Sequence, residues 1–135
     1  MTETLHILHV EDDFADAMLL QQALCDAGAF DLELEVARSL SDAKRKLSNR
    51  AYDLILLDLR LPDSITPADT LKRVDKIARG TPILVLTGSA SFDADKLDAD
   101  VTVLDKNAFF DGKRTTEVAR LIESLRDAAG DALRL

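Results

Sequence analysis

The sequence predicts an α/β domain in which helices cover both faces of one parallel sheet. Three observations indicate this fold. Short apolar segments alternate with longer segments whose apolar residues recur every three or four positions, two of the short segments are apolar throughout, and glycine or proline marks several boundaries. A strand that is apolar throughout is buried on both faces, as in parallel sheets, and alternating strands and helices imply right-handed crossovers.

The first half of the chain predicts three strands and two helices. The first strand covers Leu5–Val10, and residues 32–36 alternate between apolar and charged side chains, which is typical of a strand near a sheet edge. Residues 54–57 are all apolar and predict a central strand. The second helix begins at a serine N-cap, either Ser39 or Ser41. In the first helix, the residues that recur at helical spacing are Ala15, Met18, Leu19, Gln22 and Ala23.

The second half predicts two more strands and three helices. Pro67 suits the first turn of the third helix. Residues 83–86 form a second fully apolar strand, and residues 101–104 form the fifth strand. Between these strands, residues 88–100 contain few large apolar side chains, so we expect the fourth helix to be short or irregular. The apolar stripe of a closing fifth helix consists of Val118, Leu121, Ile122 and Leu125.

Composition and charge exclude several classes of protein. With 135 residues, 47% apolar and 31% charged, the chain fits one globular domain better than a disordered segment. Its net charge of −8 repels nucleic-acid phosphates, so we expect no nucleic-acid partner. We expect no membrane association, because no apolar run approaches the ~20 residues that span a bilayer. The single cysteine, Cys25, cannot form an internal disulfide and no signal peptide is visible, so we expect a cytoplasmic protein.

Polar residues stand where the predicted strands end. Glu11 and Asp12 follow the first strand, Asp58 the third, Thr87 the fourth and Lys106 the fifth. Because the carboxyl ends of parallel strands form one rim, we expect these groups to converge. The crowded carboxylates repel one another unless a cation is present, and a few oxygen ligands suit Mg²⁺. Carboxylate, hydroxyl and ammonium groups around such an ion predict a site for phosphoryl transfer to a carboxylate.

Each of these residues also has a purely structural interpretation. Glu11, Asp12 and Asp13 could cap the first helix, and Asp58 could be a turn residue. Thr87 could simply end a strand. The coincidence of suitable residue types after four strands at one rim favours a functional site over these separate explanations.

Four segments together resemble the receiver domain of two-component response regulators. They are residues 10–13 (Val-Glu-Asp-Asp), 52–63 (Tyr-Asp-Leu-Ile-Leu-Leu-Asp-Leu-Arg-Leu-Pro-Asp), 86–89 (Leu-Thr-Gly-Ser) and 105–106 (Asp-Lys). The resemblance extends over nearly the whole chain. It implies a flavodoxin-like doubly wound sheet of five parallel strands in the order 2-1-3-4-5, in agreement with the pattern above.

The resemblance also implies a role for each site residue. Asp58 is the phosphoacceptor, which receives its phosphoryl group from a sensor histidine kinase or a phosphotransfer protein. The Mg²⁺ ligands are Glu11, Asp12, Asp58 and the backbone carbonyl of Arg60, with Asp12 the more direct ligand of the acidic pair. Thr87 contacts the phosphoryl oxygens together with the lysine that follows the fifth strand, Lys106.

Two positions depart from the family pattern. Asn107 stands where the family has a proline after the lysine, and Val103 stands where it has a switch aromatic. Phe109 and Phe110 follow, and two interpretations stay open: they seal the core under the last helix, or one of them forms a partner or dimer surface.

We expect residues 1–135 to form a single receiver domain without an output domain, acting in a two-component phosphorelay through protein–protein contacts. A homodimer is left open. We expect a signalling module and not an enzyme. Two alternatives stand beside this expectation: a scaffolding module in which phosphorylation is vestigial, and an aspartate-nucleophile phosphohydrolase. The hydrolase is disfavoured because Leu59 and Arg60, not a second carboxylate, follow Asp58.

The two histidines lie on the first strand before its end. We expect His6 and His9 to face the same side of the sheet, and to serve packing or buried hydrogen bonding and not catalysis.

Overall fold

The computed structural model describes residues 5–27, 32–59, 61–63, 66–87 and 102–105. The strands and helices alternate along the chain as the sequence predicts. Their bounds are β1 Leu5–Val10, α1 Phe14–Ala27, β2 Leu32–Ala37, α2 Leu40–Asn49, β3 Leu54–Asp58, α3 Pro67–Ala78, β4 Ile83–Thr87 and β5 Thr102–Asp105. The fourth and fifth helices of the prediction lie outside the described residues.

All described strands belong to one parallel sheet in the order β2-β1-β3-β4-β5, which confirms the predicted order. The chain runs from β1 outward to β2 and then crosses back to β3 on the other side of β1. The strand order therefore reverses next to β1 and β3, and this reversal opens a crevice at their carboxyl ends. The pairing of Val10 with Leu57 brings those two ends level.

β3 is the central strand. Its residues are buried at all five positions, as the uninterrupted apolar run predicts. Helices α2 and α3 cover one face of the sheet and share a hydrophobic cluster with it. The helical members of this cluster are Leu40, Ala43, Leu71, Val74 and Ala78, which pack on strand residues Leu8, Val10, Ile55, Leu57 and Val85.

α2 and α3 begin at side-chain caps. Ser39 accepts a hydrogen bond from the backbone N–H of Asp42 at 3.1 Å, so Ser39 and not Ser41 is the N-cap of α2. Thr66 caps α3 in the same way through the N–H of Asp69, and Pro67 occupies the first turn as predicted. Among the described helices, none combines the length and apolarity that crossing a membrane requires.

The largest of the residues that recur at helical spacing in α1 are not on its buried face. Ala17 and Leu20 are buried at 2% and 3% exposure, whereas Met18 and Leu19 are 55% and 47% exposed. The buried pair lies outside the cluster shared by α2 and α3. Apolar residues occur on nearly every side of α1, so spacing alone does not distinguish the face that meets the sheet.

The expectation that both histidines face one side of the sheet is wrong. Successive side chains of a strand alternate between faces, so residues three apart lie on opposite faces. His6 shares the face of Leu8, and its Nδ1 lies 2.9 Å from Glu33 Oε2 on the neighbouring strand. His9 is buried on the other face, which agrees with the expected structural role.

Glu35 and Tyr52 form a polar contact next to the hydrophobic cluster. The Tyr52 hydroxyl donates a hydrogen bond to Glu35 Oε2, and Lys46 Nζ donates to Glu35 Oε1 at 3.0 Å. These hydrogen bonds, the one from Tyr52 first, lower the pKa of Glu35. Burial, followed by the hydrogen bond to Glu35, raises the pKa of Tyr52 to about 12.

The free energy of unfolding is therefore expected to fall at both ends of the pH scale. The raised pKa of Tyr52 contributes stability that is complete below its ordinary value of about 10 and is lost as the pH rises to about 12. The lowered pKa of Glu35 contributes stability that is present above its ordinary range and is lost as the pH falls. The free energy of unfolding of Tyr52→Phe, measured with denaturant, should lack the part of the decrease between about pH 10 and 12 that Tyr52 causes in the wild type.

Tyr52 is the chain's only tyrosine, so phenolate absorbance reports its ionisation directly. At neutral pH, Tyr52→Phe is expected to cost about 1 kcal/mol. Phenolate formation near pH 10 in the folded wild type would contradict this account.

Candidate functional site

Two acidic residues meet at the crevice because their strands are neighbours. Glu11 directly follows β1, and Asp58 is the last residue of β3. Val10 pairs with Leu57 across these strands, so the residues that come next, Glu11 and Asp58, stand side by side at the carboxyl rim. Both are buried, at 1% and 5% exposure.

Glu11 continues the sheet for one residue beyond β1. Its backbone N–H donates to the carbonyl of Ala37 at 2.8 Å, which extends the pairing with β2. Its carboxylate Oε2 accepts a 3.4 Å hydrogen bond from the N–H of Asp13. The backbone of this acidic segment is therefore fixed on both sides before the helix starts.

Asp13 provides the helix cap that the structural interpretation assigned to the whole acidic run. Its Oδ1 accepts hydrogen bonds from the N–H groups of Ala15 at 3.0 Å and Asp16 at 3.2 Å, in the first turn of α1. Capping therefore explains Asp13. The carboxylates of Glu11 and Asp12 instead lie near the carboxylate of Asp58.

Glu11, Asp12 and Asp58 form an acidic cluster in which one carboxylate oxygen of each lies within 4.8 Å of those of the other two. Asp12 is exposed, whereas the other two are buried. At such a separation two carboxylates repel by roughly 3 kcal/mol at an effective dielectric constant of ~20. A divalent cation would relieve this repulsion.

The donor set of this acidic cluster fits a hard cation. All three ligands are carboxylate oxygens, which Mg²⁺ and Ca²⁺ prefer over softer metals. Three protein side chains leave room for waters and for phosphoryl oxygens, as Mg²⁺ sites usually do. The exposed position of Asp12 leaves one side of the cluster open to solvent.

Of the other predicted site residues, the structure gives one a position through its backbone alone and does not describe the remaining two. Thr87 ends β4, one residue beyond Leu86, which pairs with Asp58, so Thr87 lies at the same rim. Asp105, which pairs with Thr87, ends β5. Arg60 and Lys106 lie outside the described residues, as do Asn107, Phe109 and Phe110.

Sequence reasoning missed the residues that hold the loop after Asp58. Both carboxylate oxygens of Asp63 accept backbone hydrogen bonds from the first turn of α2, and the Thr70 hydroxyl donates to the carbonyl of Leu59 at 3.0 Å. An acidic residue shortly after a site strand was the available signal. Its partner lies more than 20 residues away, so the chain pattern does not reveal the contact.

Sequence reasoning also missed an apolar patch on α1, formed by Phe14 and Met18, which are 63% and 55% exposed and share one face of the helix. Leu19 is also exposed, but it lies about 100° from Met18 around the helix axis. Phe14 begins the helix two residues after Asp12, so the patch starts beside the acidic cluster. Large exposed apolar groups near a site are typical of contact surfaces.

Curated relatives of the chain are regulatory proteins. The luminescence regulatory protein LuxO of Vibrio campbellii is 38% identical over 84 residues, which are 62% of this chain and 18% of LuxO. The swarming motility regulation protein RssB of Serratia marcescens is 36% identical over 107 residues, which are 77% of this chain and 43% of RssB. The chain therefore spans less than half the length of these relatives.

A solved structure shares the fold of this chain, and a family model identifies the type of domain. The structure is the receiver domain of a sensor histidine kinase from Pseudomonas aeruginosa PAO1, with a magnesium ion coordinated in its active site cleft. It matches with a TM-score of 0.71 at 22% identity, and the match covers 95% of this chain and 99% of that one. At this identity the likeness indicates the fold alone. Residues 7–107 match the model of the response regulator receiver domain. Since this match covers most of the chain, the chain belongs to the response regulator receiver domain family of two-component signalling.

Proposed function

We propose that this chain is a Mg²⁺-dependent receiver that accepts a phosphoryl group on Asp58 from a sensor histidine kinase or a phosphotransfer protein. The acidic cluster carries this proposal, because it surrounds a buried aspartate at the end of the central strand with two further carboxylates. The output of the phosphorylated receiver is proposed to be a change in protein–protein contacts.

The phosphoryl group moves from nitrogen to oxygen. A carboxylate oxygen of Asp58 attacks phosphorus, the P–N bond of the donor phosphohistidine breaks, and an acyl phosphate forms while the donor imidazole keeps the electron pair and takes up a proton. Mg²⁺, when bound, would neutralise charge on the phosphoryl oxygens. Glu11, Asp12, Asp58 and the carbonyl of Arg60 would hold it.

The remaining rim residues would contact the phosphoryl group itself. Thr87 ends the strand next to β3, where a hydroxyl could donate a hydrogen bond to a phosphoryl oxygen. Lys106 follows the next strand, β5, and its ammonium would offset the added negative charge.

Intact-mass spectrometry tests the proposal without a partner protein. Incubation with acetyl phosphate and Mg²⁺ is expected to add about 80 Da, one phosphoryl group. Omission of Mg²⁺, or chelation with EDTA, is the control and should suppress the adduct. A chain that stays unmodified under both conditions, while a known receiver is labelled in parallel, would refute the proposed function.

The apolar patch on α1 is expected to contact the protein that donates the phosphoryl group. A donor must approach the acidic cluster, and Phe14 and Met18 present apolar surface on the helix that begins two residues after Asp12. The double variant Phe14→Gln and Met18→Gln is expected to slow transfer from a phosphorylated sensor kinase about tenfold, the effect of ~1.4 kcal/mol of lost contact. Labelling by acetyl phosphate should be unchanged.

The matched control for this double variant is Lys72→Gln on α3. Lys72 is also exposed, but α3 covers the opposite face of the sheet. Equal transfer rates for wild type and the α1 variant, measured with a kinase that labels the wild type, would show that the donor docks elsewhere.

A further inference from the structure

Asp63 connects the loop that follows Asp58 to the start of α2. Its Oδ1 accepts a hydrogen bond from the N–H of Leu40 at 2.9 Å, and its Oδ2 accepts one from the N–H of Ser41 at 3.1 Å. Both donors belong to the first turn of α2, where backbone N–H groups have no partner within the helix. One carboxylate thus joins two segments more than 20 residues apart in sequence.

This contact is additional to the ordinary cap of α2. Ser39 already satisfies the N–H of Asp42, so the helix has its own N-cap. Asp63 supplies a second acceptor group from outside the helix. This second group lies within the loop that joins β3 to α3, which points to a role for it in that loop.

The loop is short and is held at several other points. The Thr70 hydroxyl, which is fully buried, donates to the carbonyl of Leu59 at 3.0 Å, and Arg73 donates to the carbonyl of Asp63 at 2.7 Å. The side chains of Leu59 and Leu61 are buried at 2% and 6% exposure. Hydrogen bonds of Asp63 connect this loop to α2, and hydrogen bonds of Thr70 and Arg73 connect it to α3.

We infer that Asp63 is a positioning residue for Mg²⁺ binding. The inference rests on the proposed function, in which the backbone carbonyl of Arg60 is a metal ligand. In the sequence, Arg60 stands between Leu59 and Leu61, two buried residues of the loop that Asp63 joins to α2. Groups that orient a metal ligand commonly change metal affinity by roughly 10- to 100-fold when they are mutated.

Asp42 provides a matched control in the same helix turn. It is also an aspartate near the N-terminus of α2, where its carboxylate accepts the N–H of Arg38 at 3.3 Å and pairs with Arg45. Its described contacts lie within residues 38–45 and do not include the loop after Asp58. Asp42→Asn therefore removes a negative charge from the same helix end and leaves the loop's attachment intact.

Isothermal titration of the full chain with MgCl₂, well below the melting temperatures of all variants, tests the inference. Asp63→Asn is expected to weaken Mg²⁺ binding about tenfold. The Mg²⁺ affinity of Asp42→Asn should stay within about twofold of the wild-type value. This should hold even if its melting temperature falls as much as that of Asp63→Asn. Acetyl phosphate labelling of Asp63→Asn should slow at low Mg²⁺ and recover at saturating Mg²⁺, which a general loss of structure would not produce.

If Asp63→Asn fails to fold, Asp63→Glu keeps both carboxylate oxygens one methylene farther from the backbone and is expected to give an intermediate affinity. Wild-type affinity in a folded Asp63 variant, or equal losses in the Asp63 and Asp42 variants, would overturn the inference and leave the proposed function standing. A wild-type chain that binds no Mg²⁺ would instead remove the proposed function, and this inference with it.

Discussion

Asp58→Asn is expected to abolish the phosphoryl adduct completely. The amide has no anionic oxygen to attack phosphorus, and the substitution also removes one of the three carboxylates of the acidic cluster. Because asparagine has nearly the same volume as aspartate, the buried end of β3 should keep its packing. The measurement is the intact mass after acetyl phosphate treatment in Mg²⁺, with the unmodified chain as the only species of Asp58→Asn.

The control for this result is Asp53→Asn. Asp53 precedes the same strand at its amino end, where its carboxylate accepts a 2.9 Å hydrogen bond from the N–H of His6. It is distant from the rim along the strand, so Asp53→Asn should be phosphorylated like the wild type. An adduct of about 80 Da that persists in Asp58→Asn would contradict the assignment of the acceptor.

The strands were predictable because burial on both faces leaves a clear sequence pattern, whereas their order was implied by the resemblance to receiver domains. The apolar runs at 54–57 and 83–86 form β3 and β4, and the alternating run at 32–36 forms the edge strand β2. Glu11, Asp12 and Asp58 follow from the same logic. Once the strands and their parallel order are fixed, the residues just after β1 and β3 must lie at one rim.

The sequence was less informative where partners are distant or where a helix is apolar on several sides. The buried face of α1 depends on how the helix rests on the sheet, and its apolar residues do not single out Ala17 and Leu20. The contact of Asp63 with α2 depends on the tertiary packing of α2 beside the loop. Neither has a local signal in the chain.

The sequence likewise does not distinguish the role of Asp13 from the roles of its acidic neighbours. Three consecutive acidic residues look alike in the sequence, and any of them could cap α1. The structure assigns the cap to Asp13 through the N–H groups of Ala15 and Asp16, and leaves Glu11 and Asp12 in the acidic cluster. The helix cap and the proposed metal site thus use different residues of one acidic run, so the two interpretations of it are not exclusive.

Mg²⁺ is expected to raise the melting temperature of the wild type, and Asp12→Asn is expected to remove most of that increase. A ligand that binds only the folded state at ten times its Kd stabilises it by about 1.4 kcal/mol, or about 5 °C for a domain of this size. Without Mg²⁺ the variant should melt higher than the wild type, because one of three mutually repelling carboxylates is gone. That gain is about 1 kcal/mol or less, because Asp12 is exposed to solvent.

Asp13→Asn is the control, one residue along the chain. Asparagine also caps helices, so only a small change in melting temperature is expected, and the increase with Mg²⁺ should match that of the wild type. The comparison of the two neighbours by calorimetry, with and without Mg²⁺, separates the acidic cluster from the helix cap. If Asp12→Asn responds to Mg²⁺ as strongly as Asp13→Asn does, the ion binds without Asp12 and the proposed ligand set is wrong.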